Sequence, residues 1–154
     1  MAHVGSAIHE ARHGDLVVST DPTRLDLDLI HGFLSGSYWA RGVSRDTVER
    51  SIEHSLCFGA YVGGRQAGFA RVISDRATFA YVADVFVIDS ERGRGVGKRL
   101  MECILSHPEL QSLRRWTLFT RDAHGLYRRY GFGDPRYPER LMERLDDGSG
   151  TPRT

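Results

Sequence analysis

Residues 92–98 read Arg92-Gly93-Arg94-Gly95-Val96-Gly97-Lys98, three glycines interleaved with strong bases. Glycine takes away the side chain that would keep a ligand off the backbone. Arg92, Arg94 and Lys98 surround the turn with positive charge. The chemistry this suits is holding a phosphate or pyrophosphate on main-chain N–H groups. Two familiar phosphate loops do not fit. A Walker A loop ending at Gly97-Lys98 would need glycine where Arg92 stands, and Ser or Thr where Arg99 stands. A dinucleotide loop starting at Gly93 would need glycine at Lys98, and its strand is not near the start of a βαβ unit. The spacing that remains is R-x-x-G-x-G, from Arg92 to Gly97. A glycine turn without a ligand is the plain alternative; agreement of charge, glycine spacing and flanking pattern favours the cradle.

Other residues also carry chemistry. Asp84 is the only charge among residues 77–88. It can take a proton, bind a cationic acceptor, or simply pair with an arginine or face a wet strand edge. Tyr38 and Trp39 lie in a glycine-bounded loop, residues 36–42, as walls of a small-molecule pocket or as a lid on the core. His3, His9 and His13 are irregularly spaced, and Cys57 and Cys103 lack metal-ligand spacing, so no metal is expected. Both cysteines fall on apolar patterns and read as buried packing thiols. His54 and His124 read as surface residues, His124 being the weaker candidate base. Lys98 is the chain's single lysine.

These residues need elements to position them. Residues 77–88 are an apolar run of strand length, with Val85 and Val87 on one side and Asp84, Phe86 and Ile88 on the other. Val96, Leu100 and Ile104 recur at helical spacing behind the loop, in a helix from 95 to 106 stopped by Pro108. The glycines therefore sit at a strand-to-helix junction, where first-turn N–H groups lack partners and the helix dipole is positive.

Upstream, residues 16–19 read as a short strand. Asp21 and Pro22 then open a helix carrying Leu25, Leu29, Ile30 and Phe33. Ser44 caps the next helix, with Asp46 in its first turn and Val48, Ile52 and Leu56 buried. Residues 57–62 and 66–73 form a hairpin about Gly63-Gly64. Downstream come a strand over 116–120, a helix capped by Asp122 and stopped by Gly131, and a final strand over 139–145. Residues 1–14 read as a loose extension, 15–145 as one domain, and 146–154 as a flexible tail.

Composition sets bounds. The chain has 154 residues, 40% hydrophobic and 27% charged, with net charge +1. That suits a globular domain and argues against a broad nucleic-acid or membrane footprint. No run has the length of a membrane span and no signal peptide is evident, so a cytoplasmic location is the default.

A second motif, Asp122 to Phe132, reads DAHGLYRRYGF. Ala123, Leu126, Tyr127, Gly131 and Phe132 fit A-x-x-L-Y-x-x-x-G-F. With the R-x-x-G-x-G loop in the same order and separation, the chain resembles the GNAT superfamily of N-acetyltransferases over residues 77–132. The resemblance implies an α/β (α+β) fold: a mixed, mostly antiparallel sheet of about six strands, helices on both faces, and two central parallel strands that splay apart. It implies acetyl-CoA as cosubstrate, its arm lying along Val85, Phe86 and Val87, where one N–H polarises the thioester. Its pyrophosphate would lie on Arg92, Gly93, Arg94, Gly95, Val96, Gly97 and Lys98. Tyr127 matches the residue that contacts the cofactor sulfur and protonates it.

The implied function is acetyl transfer to a primary amine of a small or amino-acid-like acceptor, with Asp84, Tyr38 and Trp39 on the acceptor side. A protein N-terminus or lysine, a longer acyl donor, a non-catalytic acyl-CoA sensor and a homodimer are left open. Two positions depart from the family pattern: Thr120 stands in place of an asparagine, and Tyr81 near the place of a glutamate base.

Overall fold

The computed structural model describes residues 7–146. The alternating runs of the sequence become strands β1 (Glu10–His13), β2 (Leu16–Ser19), β3 (Leu56–Val62), β4 (Arg65–Ser74), β5 (Phe79–Val87) and β6 (Arg115–Leu118). The helical runs become α1 (Leu27–Ser35), α2 (Arg45–Glu53), α3 (Val96–Ser106) and α4 (His124–Arg128). The strands form one six-stranded sheet in chain order. β1 to β5 pair antiparallel, and β6 joins β5 in parallel. This is the mixed, mostly antiparallel sheet expected. The parallel pair stands at one end of the strand order, not at its centre. Chain contacts divide into two compact units, residues 1–122 and 123–154.

Helices cover both faces of the sheet, as adjacent residues of β4 show. Phe69 packs with Ile30, Leu34, Val48, Cys57 and Phe86, a core built with α1 and α2. Gly68 faces the other way. A Cβ there would lie 3.1 Å from Val96 and 3.4 Å from Leu100, so α3 lies close over that face. Cys57 and Cys103 are both buried free thiols. Burial pushes the first up to about 12 and the second to about 11.

Four local expectations are corrected. The stretch expected to be loose before residue 15 contains β1, which pairs with β2 from Glu10↔Ser19 to His13↔Leu16. Its side chains are mostly exposed, so main-chain pairing holds it rather than burial, and hydrophobicity gave no warning. Asp21 does cap a turn, but a 3-10 turn at Pro22–Arg24; Leu25 is extended, and α1 begins afresh under Asp26.

The helix after β6 is capped at Ala123 with no side-chain bond, one residue later than Asp122. No strand forms over 139–145. Pro138–Arg140 is a 3-10 turn, and Leu141, Met142 and Leu145 are exposed, so no buried face rewards pairing. Residues 1–6 and 147–154, which include His3 and nearly all of the expected tail, lie outside the described residues.

Two irregularities of β5 position the site. Phe69 faces Phe86, while Arg71 faces Ala83, so β5 carries one residue more than β4 across that interval. This is a β-bulge, and it bends the strand. On its other side β5 pairs with β6 only from Phe79↔Arg115 to Val82↔Leu118. β6 ends there and β5 runs on to Val87, so among the described residues that edge of β5 has no strand partner over residues 83–87.

Candidate active site

The glycine loop connects β5 to α3 through a 3-10 turn at Asp89–Glu91. Gly93 and Gly95 have φ of +82° and +74°. A Cβ at either would meet nothing within 4 Å, so conformation, not space, demands glycine there. Gly95 is the N-cap of α3 and supplies no side-chain bond. The first intrahelical bond runs from Arg99 N–H to Gly95 C=O at 3.0 Å. The first-turn amides before Arg99 precede that bond and point past the helix end, the geometry in which helix N-termini hold anions.

Arg92 and Arg94 face the acidic turn, at 3.2 Å from Asp89 and 3.4 Å from Glu91. Lys98 is exposed on the first turn of α3. The residues present fit a diphosphate: consecutive donors, left-handed glycines and flanking cations.

Asp84 sits in the bulge of β5 at φ +52°, inside the left-handed region. Its Oδ2 accepts from Arg71 Nε at 2.8 Å, and its Oδ1 from Trp39 Nε1 at 2.9 Å. Arg71 Nη1 also donates to Ser55 Oγ at 3.2 Å. A carboxylate offers roughly four acceptor positions, and these two bonds use one on each oxygen.

The loop over residues 36–42 reaches both parallel strands. Trp39 binds the β5 bulge. Tyr38 Oη accepts from the Arg121 N–H just beyond β6, at 3.2 Å, and the Arg121 guanidinium lies 3.9 Å over the Tyr38 ring. Both aromatic rings remain nearly half exposed, 46% and 43%. Phe86 behaves differently: its ring stacks on Phe33 at 4.0 Å and is buried. Only its backbone is left for a ligand lying along β5. Val85 and Val87 are partly exposed.

Tyr81 shares this face, with its ring 6.0 Å from Phe119. Burial, then the Asp84 charge, raise its phenol pKa, with Arg71 opposing, so the hydroxyl stays neutral at ordinary pH. Arg71 and Tyr81 are the residues that sequence reasoning did not assign to the site. A signal existed for Arg71: it is the only charge within residues 66–73, and Asp84 the only one within 77–88, in adjacent antiparallel strands.

Tyr127 lies in the second unit, on α4, and is buried. Its ring meets Phe132 at 6.0 Å, and its C=O accepts from the Phe132 N–H at 3.2 Å. Gly131 closes the turn at φ +88°. The A-x-x-L-Y-x-x-x-G-F spacing is thus one folded piece. His124 is exposed at the start of α4 and His54 at the end of α2. Among the described residues no group of three or more His, Cys, Asp or Glu is placed to hold a metal.

The acetyltransferase (GNAT) domain family matches residues 53–133, more than half of the chain. The chain belongs to the GNAT acetyltransferases. A Gibberella zeae protein named as a candidate acetyltransferase is 31% identical over 137 residues, covering 74% of this GNAT chain and 76% of that one. A solved GNAT-family structure from Xanthomonas campestris, also named as a candidate acetyltransferase, is 56% identical. It covers 87% of this chain and 95% of its own, with a TM-score of 0.84. A Deinococcus radiodurans structure named as a candidate acetyltransferase, 23% identical over 89% of this chain and 92% of its own with a TM-score of 0.68, shows a shared fold alone. No helix among the described residues is long and apolar enough to cross a membrane.

Proposed function

We propose that this chain transfers an acetyl group from acetyl-CoA to a primary amine of a small, amino-acid-like acceptor, by direct attack with both bound. The observation that carries the reading is the continuity of β5 with the glycine loop. A strand edge over residues 83–87, with no strand partner among the described residues, leads into left-handed glycines and a helix end without a side-chain cap. The bound thioester supplies the activated acetyl group. Main-chain groups of Val85, Phe86 and Val87 hold the arm as an added strand would, and one N–H polarises the carbonyl. The loop from Arg92 to Lys98 holds the diphosphate.

On the acceptor side, Asp84 takes a hydrogen bond from the incoming amine on its remaining lone pairs, and passes the amine's proton on through water. Tyr38 and Trp39 wall that side. The Tyr127 hydroxyl gives a proton to the departing sulfur. Support for this last role is its place in the second motif.

The deciding experiment is thiol release from acetyl-CoA across a panel of amines, beside calorimetry with coenzyme A. Micromolar binding and turnover on at least one amine is expected. Binding without turnover on any amine would assign the chain to an acyl-CoA sensor. Tyr127→Phe should lower kcat by about 10²-fold with donor KM little changed; an unchanged kcat would remove Tyr127 from the chemistry.

A further inference from the structure

Asp84 stands in a left-handed conformation in the middle of a strand. Aspartate visits that region more readily than most residues, yet still at a cost, so its surroundings must hold it there. The strongest holder is Arg71. Its Nε donates to Asp84 Oδ2 at 2.8 Å, and the two side chains are only 16% and 11% exposed. Arg71 faces Ala83, at the foot of the bulge, and is itself anchored on Ser55. The other oxygen of Asp84 anchors Trp39, and with it the loop over residues 36–42.

We propose that Arg71 is a positioning residue for the transfer reaction: through its ion pair with Asp84 it holds the β5 bulge in shape, aiming the N–H groups of residues 85–87 at one reactant and seating Trp39 over the other. The proposal rests on the proposed function, in which β5 is the strand that receives the thioester. Arg71 itself touches neither reactant; its whole effect passes through Asp84. A role in binding an anionic acceptor directly would not need Asp84 at all.

A double-mutant cycle with two readouts separates these. Arg71→Met keeps the length of the side chain and drops the charge. Asp84→Asn keeps tolerance of the left-handed region and an acceptor for Trp39, but leaves no charge to be paired. Amide hydrogen exchange over residues 83–87 should quicken about tenfold in Arg71→Met, and less than about twofold when that change is added to Asp84→Asn. kcat should fall in the same non-additive pattern, and Arg71→Lys should recover most of the loss. Equal losses in both backgrounds, or unchanged exchange in Arg71→Met, would overturn the proposal. Should Arg71→Met not fold, Arg71→Gln and Arg71→Lys carry the same comparison. Exchange is read on the protein alone. A wild type that acetylated no amine would therefore sink the proposed reaction, while the exchange cycle would still decide the role of Arg71.

Discussion

Trp39 holds Asp84 by a single hydrogen bond, and that bond separates two uses of the indole. Trp39→Phe keeps an aromatic wall and removes the donor. Acceptor KM should rise several-fold while donor KM stays put; steady-state kinetics with each substrate varied in turn would show it. Equal effects on both would mean that Trp39 only packs. At this scale the sequence was informative about residue types and poor about partners. Asp84 stood out because it is alone in an apolar run. Its ties to Arg71 and Trp39 span 13 and 45 positions. They depend on a bulge and on the path of a loop, and neither leaves a local pattern.

Elements whose periodicity and punctuation agree are the legible ones. β5, the glycine loop and α3 could be read because an apolar run, three glycines and a helical stripe follow one another. The hairpin of β3 and β4 was legible for a similar reason, since Gly63 and Gly64 both take positive φ. β1 was not, because an edge strand is held by main-chain bonds that any sequence can make. The 139–145 segment misled in the opposite sense: its Leu141, Met142 and Leu145 suggested a face to bury, but all three are exposed, and none of its residues is β-branched or aromatic. The loop supplies an element-scale prediction. Gly95→Ala must adopt φ +74°, which costs about 1 kcal/mol for a residue with a Cβ. Thermal unfolding should register that loss, and calorimetry should register weaker coenzyme A binding, since the cap geometry sets the direction of the first amides of α3. A variant with unchanged affinity would mean that the loop does not bind the diphosphate.

For the whole molecule, the titration to watch is that of His107, which lies between the end of α3 and the start of the sheet. It is 2% exposed, and its Nδ1 accepts from the Glu109 N–H at 3.1 Å. Its Nε2 is buried, with no hydrogen-bond partner among the described residues. The rings of His9 and Phe58 meet it edge-on at 5.2 and 5.8 Å. Burial lowers its pKa below the ordinary 6.5, helped by His9 and Arg76 and opposed by Glu109. The folded state therefore resists protonation more than the unfolded chain does. In the window below 6.5 the unfolded chain binds more protons, so stability falls as pH falls through the two pKa values. Denaturant midpoints should drop between about pH 7 and pH 5, and His107→Asn, which can still cap Glu109, should flatten the slope. A wild type with no slope there would place the proton load elsewhere.

The hairpin of β1 and β2 has a practical corollary. Residues 10–13 act as a bandage on the flank of β2, whose four residues are apolar or small and almost wholly buried. Shortening the chain through His13 would turn that flank into a sticky outer margin, inviting a neighbour's backbone to zip on. Soluble yield should then fall and light scattering should rise with concentration, even though every residue proposed for the transfer reaction would still be present.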